Sequence, residues 1–177
     1  MISQKFFVIL FLGAGLVLSG VFWYQGSRES EGGASPPRVF PDAEFRTANG
    51  ETIAMRKFKG TPIVVNVWAT WCPYCRKEIP DFVVLQKEVG DAFRVILVNR
   101  GESVDTATRY LETVSGFAST TAVLYDHHDS FYASIGGFSM PETLFVNKEG
   151  IIRYHKRGFM GLEEMRRRAE DAFGISR

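Results

Sequence analysis

Apolar and polar positions alternate with different periods along this chain, and each change of period marks an element. Phe6 to Tyr24 is a run of 19 residues without a charge, preceded by Lys5. It has no polar face, so it lacks the stripe of an amphipathic core helix. Its length matches a bilayer span. Gln25 to Arg38 (QGSRESEGGASPPR) is rich in Gly, Ser, Pro and charge, and reads as a flexible tether. A folded domain begins near Val39. Phe45-Arg46-Thr47 and Thr52-Ile53-Ala54-Met55 flank Asn49-Gly50, a strong hairpin signal. Pro62 to Val67 (PIVVNV) is a continuous apolar and β-branched run, the pattern of a fully buried strand. From Pro73 to Val89 the period becomes helical, with Ile79, Phe82, Val83 and Val89 recurring on one side. Pro80 lies inside this helix, where the missing N–H predicts a kink.

Phe93 to Val98 (FRVILV) predicts a second buried strand. Ser103 is placed to cap a helix that carries Val104, Ala107, Leu111 and Val114 on one face. Thr121 to Tyr125 reads as a short strand or an extended insert, and Phe131 to Ile135 as a short helical piece ended by Gly136-Gly137. Thr143 to Val146 and Ile151 to Tyr154 flank Asn147-Lys148-Glu149-Gly150, a second hairpin. Leu162, Met165, Ala169 and Phe173 share one face of a last helix. Strand, helix, strand in this order implies an α/β domain with a right-handed parallel crossover.

The organisation follows as an anchor over 1–24, a linker over 25–38 and one domain over 39–177. Lys5 ahead of the apolar run keeps the N-terminus in the cytoplasm and sends the domain across the membrane. Val17-Leu18-Ser19 before Gly20 also makes a passable signal-peptide cleavage site. Val21, Phe22, Trp23 and Tyr24 continue the apolar run beyond it, and the two last suit a membrane interface. No cysteine lies near the run to take a lipid. A net charge of +1 gives no electrostatic footprint for nucleic acid. With 45% hydrophobic residues the chain can bury a core.

The chemistry concentrates in Trp68 to Pro80 (WATWCPYCRKEIP), where the buried strand turns into the helix. The free N–H groups and positive dipole end of a helix stabilise an anion. A thiolate there forms more easily, and the thiolate is the nucleophile. Cys72, nearer the helix start, is the expected attacking thiol, with its pKa below the ordinary value of about 8.5. Cys75 is the resolving thiol. Pro73 at the first helical position gives up no needed N–H. A disulfide across so short a loop contributes only roughly 2 kcal/mol as a staple, which favours a redox pair over a structural one. Zinc needs four ligands, and only these two residues supply sulfur.

Three stretches in order, NGETIAMRKFKG, VVNVWATWCPYCRKEIP and MPETLFVNKEGIIRYHKRG, resemble the thioredoxin superfamily. More narrowly they are similar to membrane-anchored thiol:disulfide oxidoreductases of the TlpA, ResA and DsbE (CcmG) type, over about Pro41 to Phe173. The resemblance implies a thioredoxin-like fold: a central mixed β-sheet flanked by helices, with an N-terminal β-hairpin extension. It implies that Trp71 flanks the motif and that Pro73 and Tyr74 lie within it at the client-facing surface. It implies a cis bond at Met140-Pro141, with Pro141 facing the sulfurs and the backbone of Met140 pairing with an extended substrate. Thioredoxin carries a buried Asp six residues before its first cysteine. That position is Asn66 here, which cannot take a proton, so Glu78 becomes the candidate proton acceptor, as in the ResA-like branch. Its alternative is a plain surface carboxylate.

The expected activity is dithiol–disulfide exchange in the reducing direction, outside the cytoplasm and without a cofactor or metal. Expected clients are disulfide-bearing proteins, among them apocytochrome c or a metallochaperone, with electrons from a membrane thiol oxidoreductase. Asn99-Arg100-Gly101-Glu102-Ser103 is nearer the general TlpA type, which leaves the client open. Two other classes share the fold. A thiol peroxidase of the AhpC/TSA type has Pro seven and Thr three residues before its cysteine, where this chain has Val65 and Ala69. Copper assembly modules space their cysteines by three residues, against two here. His127 and His128, between Asp126 and Asp129, read as a polar loop, His155 as a surface strand residue, and Arg166-Arg167-Arg168 as a solvated face paired with Glu163 and Glu164.

Overall fold

The computed structural model describes residues 38–117 and 121–175. The proposed anchor and most of the tether lie outside these residues. Among the described residues no helix is long and apolar enough to cross a membrane.

Seven strands form one sheet: β1 (Glu44–Arg46), β2 (Thr52–Ala54), β3 (Ile63–Trp68), β4 (Arg94–Arg100), β5 (Ala122–Asp126), β6 (Glu142–Val146) and β7 (Ile152–Arg157). Their order is β2-β1-β5-β4-β3-β6-β7. β3, β4 and β5 run parallel, while β6 and β7 are antiparallel additions on one side. On the other side the β1–β2 hairpin joins antiparallel to β5. Among the described residues lie four α-helices, α1 (Pro73–Val89), α2 (Val104–Leu111), α3 (Ser130–Ser134) and α4 (Leu162–Phe173), and a 3-10 turn at Met55–Phe58. The sheet is therefore mixed and the fold thioredoxin-like, as the pattern and the resemblance predict.

Every residue of β3 is buried, which explains its lack of polar alternation. Its side chains still point alternately to two faces. Val64 and Trp68 join Phe82 and Leu85 of α1 and Met165 and Ala169 of α4 in one core. Ile63, Val65 and Val67 join Phe45, Phe131 and Ile135 in the other. The ring of Phe45 meets that of Phe131 edge-on at 5.1 Å between centroids, tying the hairpin to α3.

Several local readings sharpen. The stretch Thr121 to Tyr125 falls almost wholly in a strand, β5 (Ala122–Asp126). Ser103 caps α2 through the N–H of Thr106 at 3.1 Å, but the helix ends at Leu111, and Val114 packs from the turn beyond it. α1 continues through Pro80 to Val89. The Asp126 carboxylate accepts the N–H groups of Ser130, Phe131 and Tyr132 and starts α3. Glu163 pairs with Arg166, and Glu164 with Arg168 at 3.8 Å. His155 is not a surface residue: its side chain is only 5% exposed. Glu142 on the neighbouring strand meets its Nε2 at 2.5 Å.

Candidate active site

β3 ends at Trp68, and the chain passes through Ala69, Thr70 and Trp71 into α1. Cys72 is the residue that caps this helix. Its Sγ accepts the N–H of Cys75 at 3.1 Å, and Pro73 follows at the first helical position. Cys72 and Cys75 are joined in a disulfide with Cα atoms 5.3 Å apart. Cys72 keeps 3% exposure and Cys75 none, so a client approaching from solvent meets Cys72. Trp71 and Tyr74, on either side of Cys72 in sequence, are 61% and 62% exposed. Large apolar rings left in water beside a reactive sulfur are suited to cover a bound chain.

The approach loop before α1 is clamped from β4's end. Glu102 accepts the Thr70 N–H at 2.8 Å and the Thr70 hydroxyl at 2.5 Å, and Asn99 donates to the same carboxylate at 2.7 Å. The sequence reading missed this role. An isolated Glu after Gly101 carries no periodic signal, and only the parallel pairing of β3 with β4 brings it to Thr70.

Glu78 stands one helical turn beyond Cys75 and is fully buried. The alternative of a surface carboxylate is thereby removed. One oxygen accepts from the Asn66 side-chain amide at 2.6 Å, the other from the Met160 N–H at 3.1 Å. Asn66 also donates to the Thr143 hydroxyl at 3.0 Å. Burial is the largest influence on this carboxyl and pushes its pKa up to about 8, with Asp81 adding in the same direction. The hydrogen bonds from Met160 and Asn66, and the more distant charge of Lys156, oppose the rise without cancelling it. A carboxyl so placed exchanges a proton near neutral pH.

β6 flanks β3 with Glu142 opposite Val67, so the residue before Glu142 stands beside the end of β3. That residue is Pro141, and its bond to Met140 is cis. Met140 packs against both cores from the loop ahead of β6. The fold thus gathers Trp71, Cys72, Pro73, Tyr74, Cys75 and Glu78 on one segment and brings Met140 and Pro141 alongside from the neighbouring strand. His127 and His128 stay apart, His127 stacking on Tyr125 at 6.0 Å. Among the described residues no cluster of His, Cys, Asp and Glu fits a metal ion.

A family model described as the AhpC/TSA family matches residues 37–155. The thioredoxin-like protein YneN of Bacillus subtilis (strain 168) is 29% identical over 147 residues, covering 83% of this chain and 86% of YneN. The thiol:disulfide interchange protein DsbE of Vibrio cholerae serotype O1 is 31% identical over 158 residues, covering 83% of this chain and 82% of the relative. Among solved structures, a thiol:disulfide interchange protein of the thioredoxin family from Chlorobium tepidum TLS superposes with a TM-score of 0.65 at 25% identity, covering 78% of this chain and 97% of that one.

Proposed function

Because the chain belongs to the AhpC/TSA family and is a thiol:disulfide oxidoreductase by its relatives, we propose that it reduces disulfides of client proteins outside the cytoplasm through Cys72 and Cys75. The observation that carries this is the disulfide at the head of α1, with the less buried of its two sulfurs in the cap position and a buried carboxyl one turn on.

In the reduced enzyme the Cys72 thiolate attacks one sulfur of a client disulfide. A mixed disulfide forms, and the other client sulfur leaves as a thiolate that takes a proton from water. Cys75 then attacks Cys72 Sγ, the mixed disulfide breaks, and the second client thiol departs. Two electrons have passed to the client, and the enzyme is left as the Cys72–Cys75 disulfide. Glu78 in its ionised form accepts the proton that Cys75 sheds as it attacks; with a pKa of about 8 that form is the minority at pH 7 and grows as pH rises. Trp71, Pro73 and Tyr74 cover the client segment, the backbone of Met140 pairs with it, and Pro141 lies against the sulfurs. A membrane dithiol oxidoreductase restores the dithiol. The apolar run at Phe6 to Tyr24 anchors the domain, with the linker giving it reach. MPET followed by GIIRYHKRG supports apocytochrome c as a client, with a metallochaperone as the other candidate.

Family membership does not import peroxidase chemistry. Val65 and Ala69 stand where a peroxidase carries its Pro and Thr, and both are fully buried apolar residues with no hydroxyl to offer a peroxide.

Affinity capture with Cys75→Ser tests the proposal: a mixed disulfide between Cys72 and a client accumulates on non-reducing gels. Cys72→Ser captures nothing. The reverse pattern assigns the nucleophile to Cys75. No capture by either variant, with no exchange against a model disulfide, overturns the reading.

A further inference from the structure

Glu142 is fully buried immediately after the cis bond, and the mechanism above leaves it unused. Its first oxygen accepts the N–H groups of Phe138 at 3.0 Å and Ser139 at 3.2 Å, so it holds the backbone of the loop that leads to Met140 and Pro141. Its second oxygen meets His155 Nε2 at 2.5 Å. The other imidazole nitrogen, Nδ1, lies 3.3 Å from the Arg38 guanidinium, which has only protons to give. Nδ1 therefore accepts and Nε2 donates. The imidazole is neutral and fixed in one tautomer.

The same loop is held at other points. Arg38 and Arg157 donate to the carbonyls of Ile135 and Gly136 at 3.4 and 3.3 Å. Tyr132 donates to the Ser139 carbonyl at 3.3 Å. A Cβ on Gly137 would lie 2.4 Å from the Tyr132 ring, so the loop packs too closely there for any other residue. Phe138, by contrast, is 78% exposed at its tip, with Arg157 over its ring. A loop whose backbone is fastened and whose apolar side chain faces water is suited to dock an extended chain.

We propose that His155 is a positioning residue for client binding: by donating to Glu142 from a single tautomer, it sets the Phe138–Met140 backbone against which the client strand lies. This rests on the reading of Met140 as a client contact. Protonating His155 puts a proton and a charge on the Nδ1 side facing Arg38; the repelled guanidinium, which also donates to the Ile135 carbonyl, releases the start of the loop, while Nε2 keeps its bond to Glu142. The groups that face the imidazole are Glu142 of β6, Arg157 of β7 and Arg38 of the leading segment, with Tyr132 of α3 bearing on Glu142. Burial, and after it the two arginines, hold the imidazole below its ordinary pKa against the pull of Glu142, so the neutral form prevails at pH 7.

The test uses His155→Gln, whose amide is neutral at every pH and has a donor for Glu142 and an acceptor for Arg38, and His155→Leu, which has neither. Amide hydrogen exchange at Phe138 and Ser139 is expected to match wild type in His155→Gln and to be about tenfold faster in His155→Leu. The Michaelis constant for a synthetic peptide with one intrachain disulfide is expected to rise in wild type as pH falls below 6.5, and to stay flat over that range in His155→Gln relative to wild type. Unchanged exchange at both amides in folded His155→Leu overturns the proposal. So do superimposable Michaelis profiles for wild type and His155→Gln, which applies even if His155→Leu fails to fold. Failure of wild type to turn over the peptide at any pH counts against the oxidoreductase reading instead, and the amide-exchange result then stands separately.

Discussion

Glu78 and Glu142 are both withdrawn completely from solvent, one on the helix after β3 and the other on the strand beside it. Their bonded partners differ in kind. Glu78 meets a side-chain amide and a backbone N–H, both neutral. Glu142 meets two backbone N–H groups, an imidazole and, at 3.7 Å, the Arg157 guanidinium. Neutral donors only partly offset the loss of water, so Glu78 keeps a proton that can be exchanged near neutral pH. Glu142 is embedded in a bonded network whose loss of one member strands the others. One buried carboxyl is equipped for proton transfer, the other for holding backbone in place.

The largest expected effect tests the first half of that contrast. The folded-state pKa of Glu78, about 8, lies above its unfolded value of 4.5, so its contribution to stability is full below pH 4.5 and is lost as pH rises through 8. By linkage the loss is on the order of 4–5 kcal/mol between pH 4 and pH 9. Denaturant unfolding of Glu78→Gln should lack this slope. Parallel wild-type and Glu78→Gln stability curves across that range would place the carboxyl in water and break the contrast.

Glu142→Leu should come next, with a cost of about 3 kcal/mol at pH 7, since it leaves His155 and two backbone N–H groups without their acceptor. His155 adds an acid-side signature. Its folded pKa is lowered, so stability is lost as pH falls from 6.5 through that lower value, the opposite slope to that of Glu78. A change in the unfolding midpoint too small to measure in Glu142→Leu would remove Glu142 from any structural role.

Smaller is the kinetic effect. Glu78→Gln should slow client release by Cys75 about a hundredfold at pH 7 in single-turnover experiments, the lower end of what a positioned proton acceptor contributes. Attack by Cys72 should change much less. Equal slowing of both steps would point to a distorted helix start. Smallest is Asn66→Ala. Asn66 lowers the Glu78 pKa, so its loss should move the pH profile of thiol alkylation upward by less than about one unit. A shift larger than that produced by Glu78→Gln would make Asn66 the dominant partner.

What the sequence made legible follows period and spacing. The uninterrupted apolar run of β3, the helical repeat of α1 and the two turn signals need only local information, and they place Cys72, Cys75 and Glu78 in order along one segment. The cis bond at Pro141 was legible by resemblance alone. Asn66 and Glu78 were linked by substitution, Glu78 standing in for the proton acceptor that Asn66 cannot be, and the alternation of β3 toward α1 puts them in direct contact. His155 was misread because a strand with Arg153, Lys156 and Arg157 around it looks solvated, and nothing local announces a carboxylate buried on the next strand. Glu102 stayed hidden for the same reason: its partner Thr70 is distant in sequence and reached only through strand pairing.

The hydrogen bond from the Cys75 N–H to Cys72 Sγ has a thermodynamic consequence for the whole domain. In the disulfide that sulfur is neutral, whereas the thiolate proposed for the reduced enzyme would put a full negative charge at the start of a 17-residue helix. The helix is then held more firmly in the reduced form, by about 0.5–1 kcal/mol. Folding and electron uptake close a cycle, so whatever steadies the reduced fold raises the electron affinity of the pair by the same amount, about 30 mV for each 1.4 kcal/mol. The head of α1 is in this sense part of the redox couple, and a substitution such as Pro73→Gly should move the melting of the reduced form and its potential together.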